Sequence, residues 1–332
     1  MRIAAYHRYG APEVVGVEQR ELPEPGPGEF RVRVHAASVG AADAAGRAGS
    51  PWFARLAFGL RRPRNAVLGS DFAGVVDAVG TGVTRFAVGD RVFGATGVDG
   101  GAHAEAVVVS QDGAVVLLPD GVSVAAAVAI CDGAMTALPF LRDGGLVRRG
   151  SRVLVNGASG AVGSAAVRLA VHLGAEVTAV CGPAHVELVA GLGASRVIDY
   201  TREDPMRAGA PGAPFDVVFD AVGTSSFRRA RAVLRRHGRY LTTVPTWPIM
   251  FQHLTSRLGR RRAVIMFTGL RSDEAKRPDL DLLAALAATG GFAPVVDRVL
   301  PLDAIARAHA VVDTGHKTGT VVITPVPELQ EA

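Results

Sequence analysis

Ser151-Arg152-Val153-Leu154-Val155-Asn156-Gly157-Ala158-Ser159-Gly160-Ala161-Val162-Gly163 decides the fold: a β-branched and aliphatic run that empties into a glycine-rich turn. Val153, Leu154 and Val155 are contiguous and apolar, as in a strand buried on both faces of a parallel sheet. After Gly163 the apolar spacing becomes helical, through Val167, Leu169, Ala170, Val171 and Leu173, and Gly174 closes the helix. The turn sets Ala158, Gly160 and Gly163 where the dinucleotide fingerprint has its three glycines: one for a tight turn, one for close backbone approach to a diphosphate, one for close helix packing. The N–H groups that open the helix, with its dipole, make a ready anion site.

Outward from this stretch, residues 176–181 predict a second strand, 186–192 a short helix closed by Gly193, 196–200 a third strand and 215–223 a fourth. A helix is predicted over 227–236, a fifth strand over 239–244 and a sixth over 263–267. Strands alternating with helices at this spacing imply right-handed crossovers and a doubly wound parallel sheet, with a dinucleotide across the carboxyl ends of its strands. The N-terminal third reads differently. Residues 14–18, 31–38, 72–79, 91–93, 104–110 and 114–118 are short strands broken by turn clusters such as Pro23-Glu-Pro-Gly-Pro-Gly-Glu29, which suggests an antiparallel barrel-like unit. Residues 123–141 are Ala-rich and helical. A polar segment, 271–279, carries Pro278 near its end and introduces a helix over 280–288 closed by Gly290-Gly291. The tail offers a strand at 295–299, a helix at 302–313 and a strand at 320–324, most economically used by returning to the first domain. The expected organisation is therefore 1–124 as a β-rich domain, 125–268 as the dinucleotide-binding domain, and 269–332 as the return.

At 332 residues the chain is long enough for two domains with separate cores, and 48% hydrophobic with 20% charged residues is a globular composition. The first ten residues contain Arg2, His7 and Arg8 and no apolar run follows, so no signal peptide is expected; aliphatic stretches such as 122–130 look too short to span a bilayer. Cys131 and Cys181 are the only cysteines, both in apolar surroundings, which argues against a disulfide framework and for a cytoplasmic setting. Two cysteines and nine scattered histidines form no metal-ligand motif. The net charge of +5 comes almost entirely from arginine, since Lys276 and Lys317 are the only lysines. The basic clusters at 61–64, 228–239 and 257–262 lack interleaved base readers and read as solvated faces, so neither nucleic acid nor membrane is an expected partner.

The order of motifs resembles the medium-chain dehydrogenase/reductase superfamily, and within it the zinc-free NADPH:quinone oxidoreductase branch. The likeness is carried by Tyr6-x-x-Tyr9-Gly10, Pro25-Gly-Pro-Gly-Glu29, His35-Ala-Ala-Ser-Val39, Leu68-Gly-Ser-Asp-Phe-Ala-Gly-Val-Val76, Val88-Gly-Asp-Arg-Val92, Gly133-Ala-Met-Thr-Ala-Leu138, the 155–163 turn, Val197-Ile-Asp-Tyr200, Phe215-Asp-Val-Val-Phe-Asp220 and Gly315-His-Lys-Thr-Gly319. It implies an α/β fold class in which a GroES-like domain is built from both chain ends and a Rossmann domain is inserted between them.

The resemblance also implies site residues. Zinc-dependent relatives carry Gly-His-Glu where this chain has Gly69-Ser70-Asp71, and a ligand cysteine near its Gly40, so no zinc is expected and reduction of an electrophile fits better than alcohol oxidation. The turn residues Ser159, Gly160, Ala161, Val162 and Gly163 are expected to hold the coenzyme diphosphate, with Thr136, Val222, Gly223 and Val244 along the rest of the coenzyme. The end of the second strand, Cys181-Gly182-Pro183-Ala184-His185, has no acid to bind a ribose 2′-hydroxyl, which favours NADP. Similar reductases hold the 2′-phosphate with a Ser and a cation in this loop and a tyrosine after the third strand. Tyr200 matches; Gly182 and Ala184 do not supply the side chains, leaving His185 and a neighbouring arginine. Lys317 is a candidate for the phosphates, and Thr320 stands where many relatives have lysine.

Relatives place a Val-Asn-x-x-Asp pattern beside the nicotinamide, and this chain reads Val39-Gly40-Ala41-Ala42-Asp43. Asp43 is the catalytic candidate, with a helix-capping carboxylate as the competing reading. Gly40 and Ala106 would widen the pocket. Cys131 reads as a packed thiol, and His103 either faces the substrate or bridges the domains. The expected activity is hydride transfer from NADPH to a quinone or an α,β-unsaturated carbonyl, a small electrophilic substrate bound between the domains. The alternatives are a dinucleotide-binding sensor or assembly partner without turnover, and a dedicated biosynthetic enone reductase. A homodimer through 263–267 is expected from the resemblance.

Overall fold

The computed structural model describes residues 1–50, 52, 55–207 and 214–326. The chain forms two compact units, Met1–Asp132 with Gly269–Ala332, and Gly133–Thr268; the last residues of the expected return, 327–332, lie outside the described residues.

The first unit opens with β1 (Arg2–Ala5) and β2 (Gly16–Gln19), an antiparallel pair, followed by β3 (Glu29–Val39), α1 (Ala41–Ala48), α2 (Arg55–Phe58), β4 (Asp71–Val79), β5 (Arg91–Ala95), β6 (Ala106–Ser110), β7 (Ala114–Leu117) and α3 (Val124–Ala129). The second unit contains α4 (Met135–Pro139), β8 (Arg152–Asn156), α5 (Ala161–His172), β9 (Glu176–Cys181), α6 (Val186–Gly191), β10 (Arg196–Asp199), β11 (Phe215–Asp220), α7 (Phe227–Ala230), β12 (Leu234–Thr242), α8 (Trp247–Thr255) and β13 (Arg262–Ile265). The chain then adds α9 (Asp273–Ala288), β14 (Val296–Pro301), α10 (Ile305–Asp313) and β15 (Thr320–Thr324) to the first unit.

The second unit is a six-stranded sheet in the order β10-β9-β8-β11-β12-β13, every neighbouring pair parallel. This is the doubly wound order expected from the alternating pattern, and it reverses direction between β8 and β11. Val153, Leu154 and Val155 are fully buried, as helices on both faces require. Leu154, Val180, Ile198 and Val218 pack one face with Phe227 and Tyr240. In the first unit β14-β15-β3-β4-β5-β7 form a curved sheet with β6 paired to β3, antiparallel throughout except for β14 with β15. The returning strand β15 lies beside β3, and α10 buries Leu302, Ile305 and Val312 of the tail against Phe30, Val32 and Phe72. The α/β class with a GroES-like and a Rossmann unit is thus the observed architecture.

Three sequence expectations need correction. The helix expected over 227–236 ends at Ala230, and β12 starts at Leu234. Leu234 is buried and pairs with Phe215, so the strand ladder outcompetes the helical spacing. The polar segment 271–279 is not an introduction to a helix; it holds the N-cap and the first seven residues of the 16-residue α9. Ser272 caps α9 by accepting from the Ala275 N–H, Asp273 and Glu274 occupy the first turn, and Pro278 sits inside. Burial of Lys276, Asp279 and Leu280 and the 2.6 Å Arg271–Asp279 ion pair hold the helix through the proline. The apolar run near 122–130 continues as helical turns to Gly145, with π-type turns at Ile130–Ala134 and Phe140–Gly145. These 22 residues are long and apolar enough to cross a membrane, but 78% of their most apolar window is buried, which is the behaviour of a core helix.

His309 on α10 is fully buried, edge-on to His103 with ring centroids 5.9 Å apart, and neither ring nitrogen has a partner among the described residues. Burial, with the charges of His103 and Arg47, pushes its pKa down from 6.5 to about 3. The folded protein therefore refuses a proton that the unfolded chain accepts, so stability is full above pH 6.5 and is lost as pH falls from there toward 3. Thermal melts of a His309→Leu variant should show a shallower loss of Tm across that window than the parent; an equal slope contradicts this.

Candidate active site

The switch point of the second unit is built on Asn156 and Asp220, which face each other across the ends of β8 and β11. Asp220 is fully buried yet well solvated by donors: Asn156 Nδ2 (2.9 Å), the Gly223 and Ser225 amides (both 2.9 Å), the Val222 amide (3.3 Å) and Tyr240 Oη (2.8 Å). Burial, then the adjacent carboxylate, pushes the Tyr240 phenol up, so it remains a donor. Asn156 Nδ2 also donates to Thr224 Oγ1 at 2.9 Å. The loop carrying Val222 and Gly223 is therefore moulded by one carboxylate. Sequence reading missed this role, although an acid closing the apolar run 215–219 was its visible signal.

Gly157, rather than position 158, makes the tight turn: its φ is +80°, and a β-carbon there would strike Val222. A β-carbon on Gly163 would lie 2.0 Å from the Gly157 carbonyl oxygen, so the helix packs on the turn only because residue 163 has none. At Gly160 the nearest atom to such a carbon is 3.7 Å away, and Gly160 caps α5 without any side-chain hydrogen bond. The amides of Ala161, Val162 and Gly163 belong to the first turn, where no intrahelical acceptor exists. The carboxylate of Asp220 is turned into its own loop. This donor set fits a coenzyme diphosphate. Gly223, with φ +72°, packs against Val244, so Val222, Gly223 and Val244, three expected coenzyme residues, converge with the turn. Ser159 and Val162 lie half-buried at its mouth, and Thr136 sits half-buried on α4.

At the end of β9, a β-carbon on Gly182 would be 3.2 Å from Tyr200 Oη, and the Tyr200 amide donates to the Cys181 carbonyl. Tyr200 is exposed and His185 half-buried in the same loop region. The nearest acid, Asp199, accepts from the Thr201 amide and hydroxyl, which hold its pKa below the usual range.

The first unit gathers a second set of groups. Asp43 is buried at the third position of α1; its Oδ2 accepts from the Gly40 amide (2.8 Å) and its Oδ1 from the Gly69 amide (3.0 Å). Both oxygens are thus engaged by backbone, which gives Asp43 a clamping geometry instead of one aimed at a substrate. Lys317 Nζ is 3.4 Å from Asp132 Oδ2 and 3.0 Å from the Gly319 carbonyl oxygen. Thr320 Oγ1 donates to the same Asp132 oxygen at 2.9 Å. Asp71, buried on β4, accepts from Ser38 Oγ at 2.7 Å and lies 3.3 Å from Ser70 Oγ. Burial, reinforced by Asp132 and Asp43, pushes its pKa up to about 8. His103 is fully buried, with Nε2 2.8 Å from the Ser38 carbonyl oxygen. Cys131 and Cys181 are free and buried, and burial with Asp71 and Asp132 pushes the Cys131 thiol well up, out of nucleophilic range.

With this geometry in place, comparison with known proteins assigns the chain. Residues 26–120 match the family described as alcohol dehydrogenase GroES-like domain, and residues 192–323 the one described as zinc-binding dehydrogenase. A quinone oxidoreductase of Pseudomonas aeruginosa is 31% identical over 96% of this chain and 97% of its own length. The chain belongs to the quinone oxidoreductase branch of the medium-chain dehydrogenase/reductase superfamily. A mitochondrial NAD(P)H oxidoreductase of Homo sapiens is 31% identical over 90% of this chain and 82% of its own. The structure of a quinone oxidoreductase from Coxiella burnetii superposes with a TM-score of 0.86 at 26% identity, covering 98% of this chain and all of that one. This branch member is an oxidoreductase.

Two glycine substitutions separate fold from binding. Gly163→Val should destabilise the protein by at least about 2 kcal/mol through overpacking. Gly160→Ala should leave Tm unchanged but weaken NADPH binding by about tenfold, near 1.4 kcal/mol. Calorimetric titration with a melt of each variant checks both, and full affinity in Gly160→Ala contradicts the assigned diphosphate position.

Proposed function

We propose that this chain is a zinc-independent, NADPH-dependent reductase that adds hydride to a quinone or to the β-carbon of an α,β-unsaturated carbonyl. The observation that carries the reading is the amide cradle at residues 157–163 joined to a β9 loop without an acid. The cradle holds a diphosphate, and the loop presents Tyr200 and His185 where a ribose carboxylate partner would otherwise stand. Arg202, exposed beside Tyr200 and 3.6 Å from Asp199, adds a cation to that corner. The names of the quinone and NAD(P)H oxidoreductase relatives support the same chemistry. Zinc independence is supported by the donor set: position 70 is Ser and position 40 is Gly, so neither imidazole nor thiolate is offered.

The bound nicotinamide would supply the hydride. The chain's own part is to hold and orient: α5 amides grip the diphosphate, Asp220 fixes the Val222–Gly223 loop, and Val244 backs that loop. Asp43 contributes by setting the spacing of the Gly40 and Gly69 backbones. That same full engagement of Asp43 favours one rival, a dinucleotide-binding protein without turnover.

Loss of NADPH absorbance should follow addition of members of a panel of quinones and enones, with kcat/KM for NADPH exceeding that for NADH by about tenfold or more. Tyr200→Ala should narrow that preference mainly through KM. NADPH binding with no absorbance loss for any acceptor establishes the rival instead.

A further inference from the structure

α8 in the second unit wears its apolar side outward. It packs inward through Ile249, His253 and Ser256, and exposes Trp247, Met250, Phe251 and Leu254, with Leu258 in the turn that follows. Phe251 is 70% and Leu258 98% exposed. At about 100° per residue the four α8 side chains fall in one stripe opposite the buried side. A surface helix normally turns such a stripe toward the core, and an exposed apolar patch rimmed by polar groups marks a docking surface.

The rim here is basic. Arg239, Arg257 and Arg262 line a cavity of about 240 Å³ together with His253, Gly144 and Asp143, all within the second unit. Arg239 and Arg262 are register partners on β12 and β13. Arg239 Nη1 donates to the Gly144 carbonyl oxygen at 2.8 Å, and Arg257 Nη2 lies 3.2 Å from His253 Nε2. Asp143, the acid on this wall, already holds Arg142 through both oxygens, at 2.8 and 2.9 Å. Arg257, Arg260, Arg261 and Arg262 have no carboxylate partner among the described residues. Between Asp220 and Asp273 the sequence holds eleven arginines and no acid.

We propose that α8 docks this protein on an anionic lipid bilayer, the apolar stripe entering the boundary between headgroups and acyl chains and the arginine-lined cavity taking a headgroup phosphate. The inference is independent of the reductase reading. A helix of nine residues lies on such a surface and does not span it. Charge selects the occupant. A second copy related by a two-fold axis would bring the same arginines against one another, whereas a sheet of phosphates complements them. The edge of β13 is also closed to a partner strand: the Ala263 amide donates to Ser256 Oγ at 2.9 Å, and His253 Nδ1 lies 3.2 Å from the Ala263 carbonyl oxygen and 3.4 Å from the Ile265 amide. Strand pairing through 263–267, the dimer expected from the resemblance, has to break these bonds first. In sequence the basic run 257–262 reads as a solvated face; folding sets the α8 stripe beside it.

The test uses full-length protein carrying Trp52→Phe, which leaves Trp247 as its only tryptophan. It is mixed with vesicles of phosphatidylcholine alone or of phosphatidylcholine with phosphatidylglycerol. The protein should sediment with the mixed vesicles, and Trp247 emission should shift to the blue and be quenched by brominated acyl chains. Phe251→Glu with Leu254→Glu should abolish both effects, and Arg257→Gln with Arg262→Gln should weaken binding by about thirtyfold. All four side chains are largely out of the core, so Tm should hold in both double variants. Failure of the parent to sediment with mixed vesicles at low salt overturns the proposal, as does equal binding to the two kinds of vesicle or by the double glutamate variant. Heat on titration with inorganic phosphate but no vesicle binding assigns the cavity to a free anion and overturns the bilayer. A parent dimer in sedimentation equilibrium that the glutamate pair converts to monomer overturns it in favour of a second copy. None of these readouts requires turnover, so the reductase reading stands or falls separately.

Discussion

The carboxylate of Asp220 is the constraint on which the coenzyme half of the protein depends. A charge with no exposed surface is costly unless donors surround it, and here backbone amides, an asparagine and a tyrosine do so. The donors come from the ends of β8 and β12 as well as from the loop after β11. Satisfying one anion therefore ties three adjacent strand ends and the 220–225 loop into a single arrangement. Hydrogen bonds to a charged group contribute roughly 1.5–3 kcal/mol each, so the loop has little freedom to reorganise. Val222 is held against Gly157 by this arrangement, which links the carboxylate to the turn that the sequence made conspicuous.

The two units solve opposite electrostatic problems. In the second, the amides that open α5 have no intrahelical acceptor, and the carboxylate of Asp220 is turned into its own loop. In the first, carboxyl groups are concentrated and only Lys317 balances them. Ionisation is unfavourable in such a setting, and burial with the neighbouring Asp132 and Asp43 pushes the Asp71 pKa up.

Features governed by local spacing were legible in the sequence. The 153–155 run, the glycine turn and the strand–helix alternation each depend on near neighbours, and the six parallel strands follow from them. Boundaries settled by tertiary pairing were not: Leu234 leaves its helical pattern because Phe215 is waiting beside it, and Pro278 stays in α9 because Asp279 is anchored by Arg271. Site residues divide the same way. Gly160, Gly163, Gly223 and Val244 sit with the turn because the strand order puts them there. The partners of Lys317 and His103, Asp132 and the Ser38 carbonyl, were not legible because they are remote in the chain. The raised pKa of Asp71 had no linear signature, since it arises from burial and from Asp132 and Asp43 being brought close by folding.

Asp43 clasps the Gly40 and Gly69 amides with opposite oxygens of one rigid planar group. The main chain at both positions is thereby pinned without help from the side chains of residues 40 and 70. Position 40 is nonetheless tightly bounded, because a β-carbon there would lie 2.9 Å from Asp132 Oδ1, so any larger residue has to displace that carboxylate first.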